Sequence, residues 1–233
     1  MKRFYKNVSV APDGSGWRVL LDGKPIRTPA KAAQVVPSEG LAQVMALEWS
    51  GQADEIDPAA FIFRDMADYA IDVVARDPAA AAADLLRYAE TDTLCYRAEV
   101  GEALADRQNE MWEPLLHAAE LRWGVHFKRV NGIIHYPQPD ATLTRMAAAI
   151  VPHDSFALAA LTTLTTLAAS LVIGLAALEA GADGKALWAA ANLEEDWQAD
   201  QWGEDAEASA LRMRRFASFC AAMRFAGLAS TKP

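Results

Sequence analysis

An acidic segment rich in tryptophan contains the residue types in this sequence that could do chemistry. It reads Leu193-Glu-Glu-Asp-Trp-Gln-Ala-Asp-Gln-Trp-Gly-Glu-Asp205, and residues 186–211 contain no lysine or arginine. Two carboxylates beside tryptophans can supply the general acid and base of a glycosidase-like reaction. The composition also suits a protein-binding surface, because tryptophan is enriched at interface hot spots and carboxylates steer a basic partner. A solvated helix end is the third interpretation, and the segment alone leaves all three open.

Helical spacing places the glutamates of this segment beside apolar and amide side chains. At about 100° per residue, Trp188, Glu195 and Trp202 fall within about 40° of one another on a continuous helix. A neighbouring stripe contains Leu187, Glu194, Gln198 and Gln201. Seven acids occur here without a base: Glu194, Glu195, Asp196, Asp200, Glu204, Asp205 and Glu207. Because like charges four residues apart repel on a helix, we expect something to compensate this repulsion.

Motifs for other kinds of chemistry are missing from the sequence. The four histidines form none of the usual metal-binding spacings, and no CxxC pair is present. The glycines at 14 and 16 join two predicted strands and do not form a phosphate-binding loop. Cys95 and Cys220 cannot build a disulfide framework, and Cys95 is expected to be a buried structural thiol. We therefore predict neither a metal nor a cofactor.

Charge is unevenly distributed along the chain. The 233 residues have a net charge of −9, which argues against a general nucleic-acid binder. Residues 1–36 contain two acids, Asp13 and Asp22, so their net charge is +5 and that of the rest is −14. This asymmetry predicts two units with different surfaces. The seven bases of the first segment are Lys2, Arg3, Lys6, Arg18, Lys24, Arg27 and Lys31.

Short runs of β-forming residues open the chain. Asp22-Gly23 between two such runs is a strong signal for a two-residue hairpin, since both positions need a positive φ. We predict strands at residues 4–10, 17–21, 24–27 and 33–36. Residues 1–37 should therefore form a small antiparallel β domain.

From Ser38 onward, the apolar residues recur with the spacing of a helix. Ser38 is a plausible N-cap for a helix over residues 39–50. Asn131-Gly132, flanked by β-formers, predicts a hairpin within residues 125–136. The fold class is thus α+β, with a larger, mainly α-helical domain at 38–233. Further helices are predicted at residues 64–76, 78–90, 102–123, 140–151, 155–180, 184–202 and 204–226.

Residues 155–178 contain no charged side chain and are long enough to span a membrane. Threonines and a serine dilute the run, and neither a Lys/Arg cluster nor an aromatic belt flanks it. We predict a buried core helix rather than membrane insertion, with a membrane-associated helical protein as the competing hypothesis. The N-terminus is basic but lacks the apolar run of a secretory signal, which predicts a bacterial, cytoplasmic protein or one that is already matured.

An ordered set of motifs from residue 3 to about 207 resembles a known family. That family comprises the assembly chaperones that bind the alpha subunit of the F-type ATP synthase catalytic head in mitochondria and alphaproteobacteria. The motifs are Arg3-Phe4-Tyr5-Lys6; Leu21-Asp22-Gly23-Lys24-Pro25 with Thr28-Pro29; Glu48-Trp49, Gln52 and Ile56-Asp57-Pro58; Tyr88 and Thr91-Asp92-Thr-Leu-Cys95-Tyr96-Arg97; Gln108, Trp112 and Pro114-Leu115-Leu116; Gly132-Ile133 and Gln138-Pro139; Ser170-Leu171-Val172; and Leu193-Glu194-Glu195, Trp197-Gln198 and Trp202-Gly203.

The resemblance implies a chaperone without catalytic activity, in the bacterial cytoplasm or, for a matured eukaryotic form, in the mitochondrial matrix. Its client would be the free alpha subunit, whose beta-contacting surface it shields from aggregation. The residues expected to bind this partner are Glu194 and Glu195, with weaker support for Trp197, Gln198 and Trp202. The alternative function, from the residues alone, is a small soluble hydrolase that uses Glu194 or Glu195 as acid and base.

Overall fold

The computed structural model describes residues 1–132, 134–203 and 205–230. Its internal contacts divide the chain into two compact units. The first unit contains residues 1–78, 153–160 and those from 221 onward, and the second contains residues 79–152 and 161–220. The sequence-based domain boundary after residue 37 stays a prediction, because compactness of contacts does not measure independent folding.

The first unit begins with an antiparallel sheet of three strands in the order β1-β2-β3. Asp22 and Gly23 have φ values of 48° and 76°, so the predicted two-residue turn is present. The predicted strand over 33–36 forms only single bridges from Ala33 and Val36. The strands are β1 (Val8–Asp13), β2 (Gly16–Leu21) and β3 (Lys24–Pro25).

The first strand starts at Val8 and not at residue 4, because the chain before it bonds elsewhere. Lys2 forms an antiparallel bridge with Glu55, and the amide of Arg3 donates to the carbonyl of Asp54 at 2.8 Å. The hydroxyl of Tyr5, which is buried, donates to the carbonyl of Trp49 at 2.7 Å. The N-terminal residues thus pack on the first helix and the loop after it.

Helices account for most of the remaining chain, as predicted for an α+β fold. The hydroxyl of Ser38 accepts from the amide of Leu41 at 3.1 Å, which confirms the predicted N-cap. A π-helical turn, Ala70–Val74, follows α2 directly. The helices are α1 (Glu39–Ser50), α2 (Ile62–Tyr69), α3 (Pro78–Glu90), α4 (Ala103–Trp123), α5 (Asp140–Ile150), α6 (Ser155–Ala168), α7 (Leu171–Ala177), α8 (Gly184–Ala191), α9 (Leu193–Trp202) and α10 (Ala206–Ser230).

The uncharged run forms two helices, so the prediction of one helix over 155–180 was wrong. Ala169 has φ 48°, which ends α6, and the hydroxyl of Ser170 accepts from the amide of Ile173 at 3.1 Å to start α7. The run is largely buried, as expected: Leu161 and Leu164 have no exposed surface. Within the described residues, every helix falls short of the length or apolarity that a membrane span requires.

The break after α6 is fixed by side chains that precede it by almost 80 residues. The hydroxyl of Thr93 donates to the carbonyl of Ala169 at 2.8 Å. The carboxylate of Asp92, fully buried, accepts from the amide of Val172 at 3.1 Å and from that of Leu94 at 3.1 Å. The motif at 91–97 therefore has a structural role in the second unit.

The hairpin predicted within 125–136 is absent from the described residues. Strand β4 (Tyr96–Arg97) instead pairs in parallel with β5 (Val130–Asn131). Gly132, with φ 78°, donates its amide to the carbonyl of Arg97 at 2.8 Å, so the turn signal ends a strand rather than joining two. Residue 133, the second position of the predicted Gly-Ile motif, lies outside the described residues.

Candidate functional site

The acidic segment forms a separate short helix, α9, so the predicted helix over 184–202 was wrong. Asn192, at φ −111° and ψ 17°, separates α8 from α9, and its side-chain amide donates to the carbonyl of Trp188 at 2.8 Å. Trp188 is buried at 5% exposure, whereas Trp202 is 85% exposed. The expected shared face of Trp188, Glu195 and Trp202 therefore does not exist.

Glu194 lies on the surface but is anchored from inside the second unit. Its Oε1 accepts a hydrogen bond of 2.7 Å from the side-chain nitrogen of Gln108, which is fully buried in α4. The side-chain oxygen of Gln108 accepts from the amide of Ala98 at 2.7 Å. The side-chain oxygen and nitrogen of Gln108 are thus both hydrogen-bonded, and this fixes the direction of the Glu194 carboxylate.

A buried arginine stabilises the backbone behind Gln108. Arg97 donates to the Gln108 carbonyl at 2.8 Å and to Oε1 of Glu113 at 2.8 Å. Arg129 also binds Glu113, at 2.7 Å, and its hydrogen bonds hold the pKa of that carboxyl below its usual range. A network of charged and amide groups therefore supports Glu194 from α4, from strand β4 and from Arg129, the residue before β5.

Arginines of α10 supply the compensation that the acidic segment was expected to need. Arg215 lies 3.5 Å from Oε1 of Glu195, and Arg212 forms an ion pair with Asp196. Arg215 also donates to the carbonyl of Leu167 at 3.1 Å. The sequence reasoning missed both partners, because the window without bases ends at residue 211. The sequence feature that could have revealed these partners is the close spacing of three arginines, at 212, 214 and 215, early in the next helix.

The remaining candidates differ in exposure. Trp197 is half-buried and lines a small cavity of about 80 Å³, whereas Gln198 is exposed. Trp202 ends α9, and Gly203 follows it with φ 90°. The cavity is lined, besides Trp197, by Arg107, Met111, Ala189, Leu193, Asp196 and Asp200. Trp197 thus packs α9 against its neighbours, whereas the ring of Trp202 faces solvent.

Two apolar side chains of α10 are also exposed. Leu211 is 50% and Met213 is 67% exposed, and they flank Arg212, which holds Asp196. An exposed tryptophan, exposed aliphatic side chains and carboxylates thus occur on two helices joined by ion pairs. Trp and Met are enriched in protein interfaces, whereas scattered single apolar residues are ordinary on surfaces. Glu204, between the helices, lies outside the described residues.

Carboxylates in the first turn of α9 also have an ordinary structural explanation. Glu194, Glu195 and Asp196 all lie there, where negative charge is favourable beside the helix N-terminus. This interaction is worth about 0.3–1 kcal/mol each at an exposed site, so it does not by itself require a partner.

The geometry gives little support to catalysis by the glutamates. Neither lines the cavity beside α9, and both are exposed, whereas an acid/base pair acts on a substrate held in a cleft. Cys95 is buried, and burial raises the pKa of its thiol, which keeps it protonated and unreactive. Among the described residues, no group of three His, Cys, Asp or Glu is placed to hold a metal ion.

Known proteins resemble this chain along almost its whole length. The crystal structure of Atp12 from Paracoccus denitrificans is 37% identical, with a TM-score of 0.89 and coverage of 98% of each chain. A crystal structure from Agrobacterium tumefaciens, of a candidate chaperone, is 40% identical with a TM-score of 0.92, covering 97% of this chain and 85% of that one. Protein atp12, mitochondrial, of Schizosaccharomyces pombe is 26% identical over an alignment of 219 positions, which covers 88% of this chain and 75% of that protein.

These structures confirm the predicted fold class, a small antiparallel sheet followed by a mainly helical region. The family model for the ATP12 chaperone protein matches residues 2–120, just over half of the chain. The match includes Gln108, which anchors Glu194, and it ends before α9. The chain therefore belongs to the ATP12 chaperone family, the family of assembly chaperones that its sequence resembles.

Proposed function

We propose that this chain is a chaperone for assembly of the F-type ATP synthase catalytic head, and that it binds the free alpha subunit. In this role it covers the alpha surface that later contacts beta, so that this surface does not aggregate before assembly. The family assignment supports a chaperone of ATP synthase assembly. The choice of alpha as client follows from the resemblance of the sequence motifs.

The observation that carries the proposed binding site is the exposure of Trp202 at the end of an acidic helix. An indole ring that is 85% exposed gains more from burial in a partner than nearly any other side chain. Glu194 and Glu195 lie on the same helix, and Gln108 holds the first of them in one direction. An anchored carboxylate loses little freedom on binding, which favours affinity.

The five residues of the proposed contact have different parts in it. Trp202 provides the apolar anchor, while Glu194 and Glu195 steer a basic surface of the client and pair with it. Gln198 lies four residues after Glu194, so it extends the same helical face. Trp197, which is half-buried, positions the helix. The protein performs no catalysis in this role.

The place of action follows from the client. A bacterial form works in the cytoplasm, and a matured eukaryotic form works in the mitochondrial matrix, where the alpha subunit is found before assembly. The fission-yeast relative is described as mitochondrial.

Binding and aggregation assays with purified alpha subunit test the proposal. Trp202→Ala is expected to weaken binding by about 2 kcal/mol or more while the melting temperature stays the same, because the side chain is exposed. Glu195→Gln should weaken it by about 1 kcal/mol and lower the association rate at low salt. The matched control is Glu90→Gln, at the exposed end of α3, which should change neither.

Two results would distinguish an error in the proposed client from an error in the proposed contact residues. If wild-type protein neither binds alpha nor keeps it in solution, the proposed client is wrong. If it does both and the Trp202 and Glu195 variants equal wild type, the client is right but the contact lies elsewhere on the chain.

A further inference from the structure

A second surface feature lies in the first unit. A cavity of about 400 Å³ opens between the start of the chain, the β2–β3 hairpin and α1. Its buried part is formed by Tyr5, Leu21 and Trp49, and its exposed wall by Phe4, which is 65% exposed. Its other lining residues are Asp22, Lys24, Pro25, Ile26 and Arg27. The volume is in the range of pockets that hold a ligand or an anchoring side chain.

The rim of this cavity is basic, in contrast to the chain as a whole. Lys24 and Arg27 are both exposed and line it, and Lys6 follows Tyr5 directly. Asp22 also lines it, but its carboxylate accepts from the amides of Asn7 and Lys6, at 2.8 and 3.1 Å. These bonds lower the pKa of Asp22 and commit its charge to the turn. Lys24 and Arg27 are therefore the lining groups that can attract an anionic ligand, and Arg27 also donates to the carbonyl of Lys31 at 2.9 Å.

One of the lining side chains, Trp49, carries an unsatisfied donor. The indole nitrogen of Trp49 is buried and has no hydrogen-bond acceptor among the described residues. A buried donor without a partner costs about 1–3 kcal/mol, and stable cores rarely retain one. The aromatic rings around it are well ordered by packing, with Tyr5 5.5 Å from Trp49 and 5.3 Å from Phe4.

We propose that this cavity is a docking site for an acidic polypeptide segment that carries one large apolar side chain. The apolar side chain enters between Phe4, Ile26 and Trp49, where it covers the exposed face of Phe4. Carboxylates on either side of it pair with Lys24 and Arg27. The surface is distinct in charge from α9, so it binds a different segment from the one proposed for the acidic helix.

A polypeptide fits this surface better than a nucleic acid or a lipid surface. Only two cations line the cavity, whereas tight nucleic-acid binding neutralises many phosphates, and the chain has a net charge of −9. Membrane-surface binding likewise rests on clusters of basic residues and a broad apolar face. A concave apolar site with a charged rim is typical of recognition of one anchoring side chain.

A labelled peptide, Glu-Glu-Leu-Phe-Glu-Glu, is the probe, and its binding to the full chain is measured by fluorescence anisotropy. The double variant Lys24→Glu with Arg27→Glu is expected to weaken binding about tenfold or more, and added salt should weaken it for wild type. Phe4→Ala should weaken it about fivefold without loss of stability, because this ring is exposed. Lys185→Glu, which makes a similar charge change on an exposed residue of the second unit, is the control and should change binding less than about twofold.

Two control peptides separate the parts of the site. Lys-Lys-Leu-Phe-Lys-Lys and Glu-Glu-Ser-Ser-Glu-Glu should both bind at least about tenfold more weakly than the probe. The proposal is overturned if wild type shows no saturable binding of the probe, or if the lysine peptide binds equally well. It is also overturned if Phe4→Ala binds as wild type does, or if an RNA oligonucleotide or anionic vesicles compete better than the acidic peptide. Because Phe4→Ala leaves the charges of the cavity intact, it tests the proposed docking site even if the Lys24→Glu, Arg27→Glu double variant does not fold.

Discussion

The side-chain nitrogen of Gln108 and a carboxylate oxygen of Glu194 lie 2.7 Å apart, joining α4 to the acidic helix. The two residues are 86 positions apart in sequence, and one is fully buried while the other is exposed. The bond links the core of the second unit to the surface that we propose for the client. A change in the core can therefore alter this surface without touching it.

Replacing Gln108 should destabilise the protein. Gln108→Ala leaves the amide of Ala98 without its acceptor and opens a small cavity, which costs about 2–4 kcal/mol in the free energy of unfolding. Glu194→Gln keeps an acceptor for the Gln108 nitrogen and should cost less than about 1 kcal/mol. Urea denaturation followed by tryptophan fluorescence measures both. A double-mutant cycle with Glu194→Ala should give a coupling of about 0.5–3 kcal/mol, and a coupling near zero would contradict the described bond.

Arg215 should matter more to stability than Glu195, its ion-pair partner. Arg215→Ala removes a hydrogen bond of 3.1 Å to the carbonyl of Leu167 and should cost about 1–3 kcal/mol. Glu195→Gln should cost less than about 0.5 kcal/mol, because the paired side chains are 34% and 60% exposed. Thermal unfolding compares the two, with Arg214→Ala, an exposed neighbour, as control. Equal losses in the Arg215 and Glu195 variants would show that the ion pair, not the carbonyl, dominates.

Stability should fall as pH rises because of Asp92. Burial raises the pKa of this carboxyl to about 6, against the hydrogen bonds that oppose the shift, so the folded state binds its proton more tightly than the unfolded state does. Its contribution to stability is complete below the unfolded pKa of about 3.9 and is lost as pH rises through about 6. Between pH 4 and pH 7, the free energy of unfolding of wild type should fall by about 2–3 kcal/mol more than that of Asp92→Asn, whose side chain cannot ionise.

Urea denaturation of wild type and Asp92→Asn at several pH values measures this difference. Asp68, whose pKa burial also raises to about 6, is present in both proteins, so its effect cancels. A difference between the two proteins that does not change with pH would show that the pKa of Asp92 is the same in the folded and unfolded states.

The uncharged segment should be most sensitive to substitution at its fully buried positions. Leu164→Ala should cost about 2–5 kcal/mol, because Leu164 has no exposed surface and its removal leaves a cavity. Leu167→Ala, at a half-buried position of the same helix, should cost about 1 kcal/mol. Chemical denaturation measures both. Equal and small losses would mean that α6 is not part of the core.

Features that depend on neighbouring residues were predicted well from the sequence. The Asp22-Gly23 turn and the Ser38 cap are local, because turn and cap residues bond to backbone within three residues. The same holds for α3, whose limits of residues 78 and 90 agree with the structure. The presence of an acidic helix could likewise be predicted from composition.

Features imposed by distant groups could not be predicted. The break at Ala169 depends on Thr93 and Asp92, and nothing in residues 155–178 shows where these lie. The break at Asn192 separated two tryptophans that periodicity had placed on one face. The arginines that balance the acids come from the following helix, and a count of charges within the segment does not include them.

The approach of α6 and α7 has a consequence for how the chain folds. Gly174 packs against Thr165 so closely that an added Cβ would lie 2.3 Å from its hydroxyl oxygen. This contact joins residues only nine apart, and a loop of about ten residues closes within ~10–100 ns. The longest uncharged stretch of the chain therefore has a local contact of its own, which can bring α6 and α7 together before distant segments arrive.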